Sequence, residues 1–541
     1  MSDGINLVSD IYRPKGKARY PAIIIRTPYG KGSVSHSYPL IANIFCSQGY
    51  AVVIQDIRGK YGSEGVFYPF ENEYRDGTDT VSWVVKQEWS DEKVVVWGFS
   101  YLGSCAWVMA TNSMEPVKTI IPMFCCQNAY MGWLDYGVPY LKDILMWLLK
   151  HHGRKGRVVS HEEVDQLILQ LPVLQFDKRL EDGIETFKKW MYHLQTDEYW
   201  MAFSVSHRRH EIDVPILFIG GWFDRFINNT MVDFSETVKV EPTSNTGRSR
   251  LIVGPWGHRP TVEFPGFNYG YYAKFRHQFN PMVRWMNHWV KGAKWDFDDA
   301  LPIDYFMMGK NEWRKSACWP PENTEEITYY LGSTKRANTH EGDGTLSLEN
   351  DSHRSSDTYI YNPENPVPSI GNRMLYGNMT DGPREQSKLY DREDILFYET
   401  APLEDDIEIA GPVKVVLYVS SNAIDTDFTA KVCDVFPDGK SFFLINGFVR
   451  MRFLDSVKAT HGIEANKIYR VEFLVSHTAH AFLKGHRIQL QISSSDFPNH
   501  ERNLNTGGSN EGDSEEVTAK QTLYYGNSHE SRLIFPVIME S

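Results

Sequence analysis

A chain of 541 residues, 42% hydrophobic and 23% charged with a mean hydropathy of −0.41, reads as a globular protein of about three or four domains. The net charge of −13 argues against a polyanion as main partner, because a phosphate backbone wants a basic surface, so no nucleic-acid partner is expected. No apolar run approaches the roughly 18 residues that a membrane span needs, and the most apolar helical stretch, Tyr140 to Lys150, is broken by Lys142 and Asp143.

The opening residues Met1-Ser2-Asp3-Gly4 carry neither a basic nor an apolar leader region, which predicts a cytoplasmic protein. Short continuous apolar runs follow at Tyr20 to Arg26, Tyr50 to Gln55 and Lys93 to Gly98, the mark of strands buried on both faces of a mostly parallel sheet. Between them lie helical patterns such as Asp76 to Lys86, long enough for right-handed crossovers. The same strand signature returns at Val214 to Gly220 and Arg250 to Gly254, so residues 1–126 and 211–300 read as two parts of one α/β domain. The stretch 127–210 is rich in Leu, Lys, Glu, Trp and Tyr at helical spacing, as in Ile184 to Leu194. It predicts a helical cap inserted between two strands. From 301 to 541 the period changes to two. Pro412 to Val419, Phe428 to Val435, Tyr469 to Leu474 and His486 to Ile492 read as strands bounded by Gly, Pro, Asp and Asn turns, which predicts an all-β jelly-roll sandwich. Thr334 to Ser356 reads as a surface loop. The six cysteines are sparse, and Cys125 and Cys126 sit in an apolar stretch, so reduced thiols are expected.

One turn carries chemistry. Ser100 directly follows the strand ending near Gly98, in Gly98-Phe99-Ser100-Tyr101-Leu102-Gly103, and a small-residue helix start follows it. That is the strand–turn–helix context of a nucleophile elbow, although the second glycine stands one position later than in the usual pattern. A serine hydroxyl needs a base to take its proton and an acid to orient that base. In α/β-hydrolases the chain order is Ser, acid, His. Asp224 lies just past one later strand in Gly221-Trp222-Phe223-Asp224, and His258 past the next in Gly254-Pro255-Trp256-Gly257-His258. Asp224 would also serve as a helix cap, and a single histidine is often structural, but the order and placement favour a triad. Competing acids, Glu211 and Asp213, precede their strand. An oxyanion hole needs two donors. The Tyr101 amide supplies one by elbow geometry, and the Tyr29 phenol in Thr27-Pro28-Tyr29-Gly30 is a candidate for the other, an aromatic packed in a turn being its alternative.

On these residues the chain resembles the cocaine-esterase family of serine hydrolases, akin to X-prolyl dipeptidyl peptidases and α-amino acid ester hydrolases. The likeness runs from Asp10-Ile11-Tyr12-Arg13-Pro14 through Gln55-Asp56-Ile57-Arg58-Gly59 and the three loops above to Met308-Gly309 and Lys484-Gly485-His486-Arg487. The Ser-Tyr-x-Gly elbow is that family's own variant. The resemblance implies an α/β-hydrolase domain, a helical cap and a C-terminal jelly roll of galactose-binding-like type. It also implies a triad of Ser100, Asp224 and His258, an oxyanion hole of Tyr29 and Tyr101, and no cofactor or metal. Its α-amino acid ester hydrolases follow the triad Asp with carboxylates for a substrate ammonium. Here Arg225-Phe226-Ile227-Asn228 follows instead, which turns the expectation away from free α-amino acid esters. Phe226, with Trp133 and Trp147 of the cap, becomes a candidate pocket wall, core packing being an equal reading for the tryptophans.

The expected activity is therefore cleavage of a small-molecule ester or amide through an acyl-enzyme, esters preferred, with X-Pro dipeptide release as the alternative. A metal hydrolase is less favoured, since His207-x-x-His210, His477-x-x-His480 and His151-His152 form no His-Glu-x-x-His and His161-Glu162-Glu163-Val164-Asp165 ends in Asp. A non-catalytic carbohydrate-binding protein is the remaining rival. Self-association into a homo-oligomer stays open.

Overall fold

The computed structural model describes residues 1–111, 115–179, 184–239, 246–298, 300–350, 355–377, 381–454 and 462–539. Its first sheet has nine strands: β1 Ser9–Tyr12, β2 Tyr20–Thr27, β3 Ala51–Asp56, β4 Ser90–Phe99, β5 Val117–Met123, β6 Leu217–Phe223, β7 Arg250–Gly257, β8 Ile303–Met307 and β9 Glu312–Ser316. They lie in the order β1-β3-β2-β4-β5-β6-β7-β8-β9. From β3 to β8 every neighbouring pair is parallel, and only the edge strands β1 and β9 run the other way. Ala22, Ile23, Ile24 and Ile25 of β2 and Val52, Val53 and Ile54 of β3 are all fully buried. Helices covering both faces explain why these strands read as continuous apolar runs rather than alternating ones.

The crossover helices include α1 Tyr38–Ser47, α2 Glu73–Val84 and α3 Tyr101–Ala110, and α3 packs on β4 and β5. Strand β5 escaped the sequence pattern because Pro122 argues against a central strand. In the structure Pro122 falls at the C-terminal end of β5, opposite Gly98, where the ladder is about to stop. The sheet also continues past residue 300, where the period changes: β8 pairs with β7 and carries β9 with it.

Between β5 and β6 the chain makes several helices, among them Ala129–Trp133, α4 Leu141–Lys150, His161–Leu167 and Glu185–Tyr192. Helix α5, Ile227–Val238, follows β6. Among the described residues no helix is long and apolar enough to cross a membrane.

The rest of the chain forms an 11-stranded sheet whose strand pairs among the described residues are almost all antiparallel, with only Thr345–Ser347 and Leu396–Glu399 parallel. Thr334 to Ser356, read as a loop, holds the short strand Thr345–Ser347; residues 351–354 of it lie outside the described residues. Two strands are longer than their sequence signal: Ile407–Ser421 and Tyr469–Phe482, which pair with each other. A register shift opposite Val413 and Lys414 leaves Val475 as an extra residue, so the buried face of Tyr469–Phe482 changes parity there and its alternation breaks. The strands Asp427–Val435 and Ser441–Arg450 are buried along their whole length rather than on one face. Their polar side chains find buried partners, as Arg450 does in Asp427 at 2.9 Å.

Candidate active site

Strand β4 ends at Phe99 and α3 begins at Tyr101, leaving Ser100 alone to make the turn with φ 59° and ψ −127°. Such a backbone costs on the order of 1–3 kcal/mol in a non-glycine residue and persists only where its surroundings hold it. The Ser100 amide donates to the Met123 carbonyl at 2.8 Å, and the Gly103 amide donates back to the Ser100 carbonyl at 2.7 Å. Both flanking glycines are forced by contact. A Cβ at Gly98 would stand 2.0 Å from the Leu102 carbonyl oxygen, and one at Gly103 would stand 2.4 Å from Cys125 Sγ. The close approach to the segment just past β5 thus falls three residues after the serine, which accounts for the displaced glycine.

His258 Nε2 lies 3.0 Å from Ser100 Oγ, and His258 Nδ1 lies 2.7 Å from Asp224 Oδ2. The second Asp224 oxygen accepts the Phe226 amide at 2.8 Å, so the carboxylate is fixed from both sides, by the imidazole on one oxygen and the loop before α5 on the other. Asp224 is 1% exposed, which strengthens its hold on the imidazole by excluding water. Ser100, Asp224 and His258 are each the first residue beyond a strand, on β4, β6 and β7, and meet along one edge of the sheet.

The amide of Tyr101 opens α3 and, as the first N–H of a helix, has no acceptor within it. The Tyr101 side chain turns away from Ser100: its hydroxyl donates to Glu73 Oε1 at 2.9 Å, and Glu73 in turn holds Arg26 at 2.6 Å. Tyr29 stands on the other side. Its backbone is set by a bond from its amide to Thr27 Oγ1 at 3.0 Å, and its hydroxyl accepts from Trp147 Nε1 at 3.2 Å. Burial pushes the Tyr29 phenol far above its ordinary value, with Trp147 and Ser100 pulling the other way, so the phenol keeps its proton. Two imidazoles flank its ring, His36 at 4.9 Å and His151 at 4.7 Å between centroids. Burial, helped by Lys60, His36 and Lys150, pushes His151 down to about 3, so it is neutral at physiological pH.

These residues open on a cavity of about 250 Å³. Phe226, Trp133 and Trp147 all line it, as does the pair Leu375 and Tyr376 from the C-terminal part of the chain. Sequence reading missed that pair, together with Phe70, Phe99, His36, His151 and Arg259. Asp143 of α4 explains how Leu375 and Tyr376 arrive: its two oxygens accept their amides at 2.9 and 3.0 Å, and Arg225 pairs with it at 2.6 Å. No spacing in the sequence announces a contact across 232 residues.

Three of the histidines considered for a metal have other partners. His477 Nδ1 accepts from Trp319 Nε1 at 3.1 Å, His480 bonds Asp434 at 3.1 Å, and His151 packs on Tyr29. Among the described residues no group of three or more His, Cys, Asp or Glu side chains is arranged to hold a metal ion.

Residues 3–260 match the family model of X-Pro dipeptidyl-peptidases (S15 family), and residues 295–534 match that of the X-Pro dipeptidyl-peptidase C-terminal non-catalytic domain. Cocaine esterase from Rhodococcus sp. is 34% identical over 99% of this chain and 97% of its own. An aminopeptidase from a marine sediment Thaumarchaeota archaeon has the same fold, with a TM-score of 0.86 at 23% identity over 100% of this chain and 95% of that one. So has an α-amino acid ester hydrolase, with a TM-score of 0.85 at 23% identity over 99% of this chain and 95% of that one.

Proposed function

This chain belongs to the cocaine-esterase family of serine hydrolases, and from that premise we propose that it cleaves small carboxylic esters with Ser100 as nucleophile, His258 as base and Asp224 as orienting acid. The observation that carries the assignment is the hydrogen-bonded line from Asp224 through His258 to Ser100, ending in an apolar, aromatic-lined cavity. Ser100 attacks the ester carbonyl while His258 Nε2 takes its proton, and the buried Asp224 carboxylate stabilises the imidazolium that forms. The oxyanion receives two donors, the Tyr101 amide and the Tyr29 hydroxyl. Trp147 occupies an acceptor lobe of Tyr29, which leaves the phenol proton to point at the substrate. His258 then protonates the departing alcohol, and a water activated by the same imidazole hydrolyses the acyl-enzyme. Phe226, Trp133 and Trp147 favour an apolar or aromatic acyl group.

For the architecture, we read residues 1–126 and 211–300 as the hydrolase domain and 127–210 as its cap. Residues 301–541 read as a jelly-roll domain of galactose-binding-like type, whose first hairpin completes the hydrolase sheet. The antiparallel pairing of its strands supports this. Six unpaired cysteines suit a reducing, cytoplasmic setting.

A fluorophosphonate probe tests the assignment. Folded protein labels at Ser100 and Ser100→Ala does not; label retained in that variant sinks the proposal. Faster release of X-Pro anilides than of p-nitrophenyl esters would instead favour the dipeptidyl-peptidase reading suggested by the S15 match.

A further inference from the structure

The charge around the cavity mouth runs against that of the whole chain, which is −13. Arg259 follows His258 directly, lines the cavity and is exposed. Lys150, the last residue of α4, sets its Nζ 4.5 Å from the ring centre of Tyr376, another wall of the same cavity. Neither cation has a carboxylate within 4.0 Å among the described residues. The two are near enough to act on one another: burial and then Arg259 hold the Lys150 ammonium below its ordinary value.

The acids that could have neutralised them are committed elsewhere. Asp224 holds His258, Asp143 holds Arg225 and two amides, and Asp165 holds Lys142 at 2.5 Å. Asp381, beside Gly257, is beyond ion-pair distance of both cations. An acidic protein that leaves two cations unpaired at the rim of its reaction cavity focuses anions there. A substrate carrying an ammonium would meet the opposite of what it needs.

We infer that Arg259 and Lys150 select esters bearing a carboxylate on the part of the substrate that projects from the cavity, and disfavour cationic esters. This rests on the ester-hydrolase reading above, and the two fail separately. The test uses phenyl benzoates whose phenol carries a carboxymethyl, an ethyl or an aminoethyl group, and a mirrored series with the charge on the acyl side. In one of the two series kcat/KM should fall from anionic to neutral to cationic by about tenfold per step at low salt, and the steps should shrink in high salt as exposed charges are screened. In Arg259→Gln and Lys150→Gln the anionic-to-neutral ratio should drop toward one. A flat order in both series, or a ratio untouched by both substitutions, overturns the inference while leaving ester cleavage standing. Failure of the wild type to cleave any of the esters overturns the ester reading itself.

Discussion

Along the edge of the first sheet, Ser100, Asp224 and His258 each stand on the first residue past a strand, whereas the wall facing them is assembled from segments far apart in the chain. At the edge, a parallel sheet aligns the strand ends, so backbone geometry alone brings three side chains together. The wall has no such scaffold. Trp133 and Trp147 come from the insertion and Leu375 and Tyr376 from beyond the sheet, and the latter pair is tied to α4 by Asp143, which also holds Arg225. The chemistry is thus held by local geometry, and the fit to substrate by a few long-range polar contacts.

Changes at the edge should act on kcat and changes in the wall on KM. The largest effect expected is at Asp224→Asn, which keeps the loop but offers the imidazole the wrong partner. It should lower kcat by about 10⁴-fold on a p-nitrophenyl ester with KM little altered. A loss under tenfold would mean that the edge does not work as a unit. Tyr29→Phe removes one of the two proposed oxyanion donors and should cost on the order of 10²-fold in kcat, again at nearly constant KM. A near-wild-type rate would remove Tyr29 from the chemistry.

The wall gives the smaller kinetic effect. Asp143→Asn leaves Arg225 without its counter-charge and loosens the grip on Leu375 and Tyr376. KM for a benzoyl ester should rise about tenfold, worth roughly 1.4 kcal/mol, while kcat for an acetyl ester stays within a few-fold. Equal losses on both esters would show that edge and wall are not separable.

The smallest effect is on stability alone, at the seam between the two regions. Asp233 of α5 accepts the amide of Gln127, where the insertion begins, at 2.9 Å. Burial raises its carboxyl to about 7, against the pull of the Gln127 amide and Arg209. The folded state therefore holds a proton that the unfolded chain releases near pH 4, so this group's contribution to stability falls as pH rises from about 4 to about 7. Asp233→Asn should flatten that part of a Tm-against-pH curve. An unchanged slope would mean that Asp233 is ionised in the fold throughout.

The same contrast explains what could be read in advance. Buried parallel strands announce themselves as short β-branched runs, and the residue just past each run can be counted off, so the placement of Ser100, Asp224 and His258 along one sheet edge was legible. Phe226 was legible as a neighbour of Asp224. Leu375 and Tyr376 were not, because they reach the cavity through a carboxylate 232 positions away, and no periodicity encodes that. In the C-terminal sheet the extra residue Val475 hid half of the strand Tyr469–Phe482, since alternation that changes parity looks like an ending. Pro122 hid β5 for a related reason: a residue that cannot continue a ladder is harmless where the ladder stops.

The tie at Asp143 bears on how substrate enters. Swinging α4 outward as a lid would break two hydrogen bonds from backbone amides and an ion pair at once and strand a buried guanidinium, at a cost of about 3–5 kcal/mol. Such an opening would be populated in about 1% of molecules or fewer. An ester too large for the standing cavity would lose about 10²-fold or more in kcat/KM by needing α4 open, so the dimensions of the cavity as it stands, rather than the timing of a gate, set the preferred size of ester.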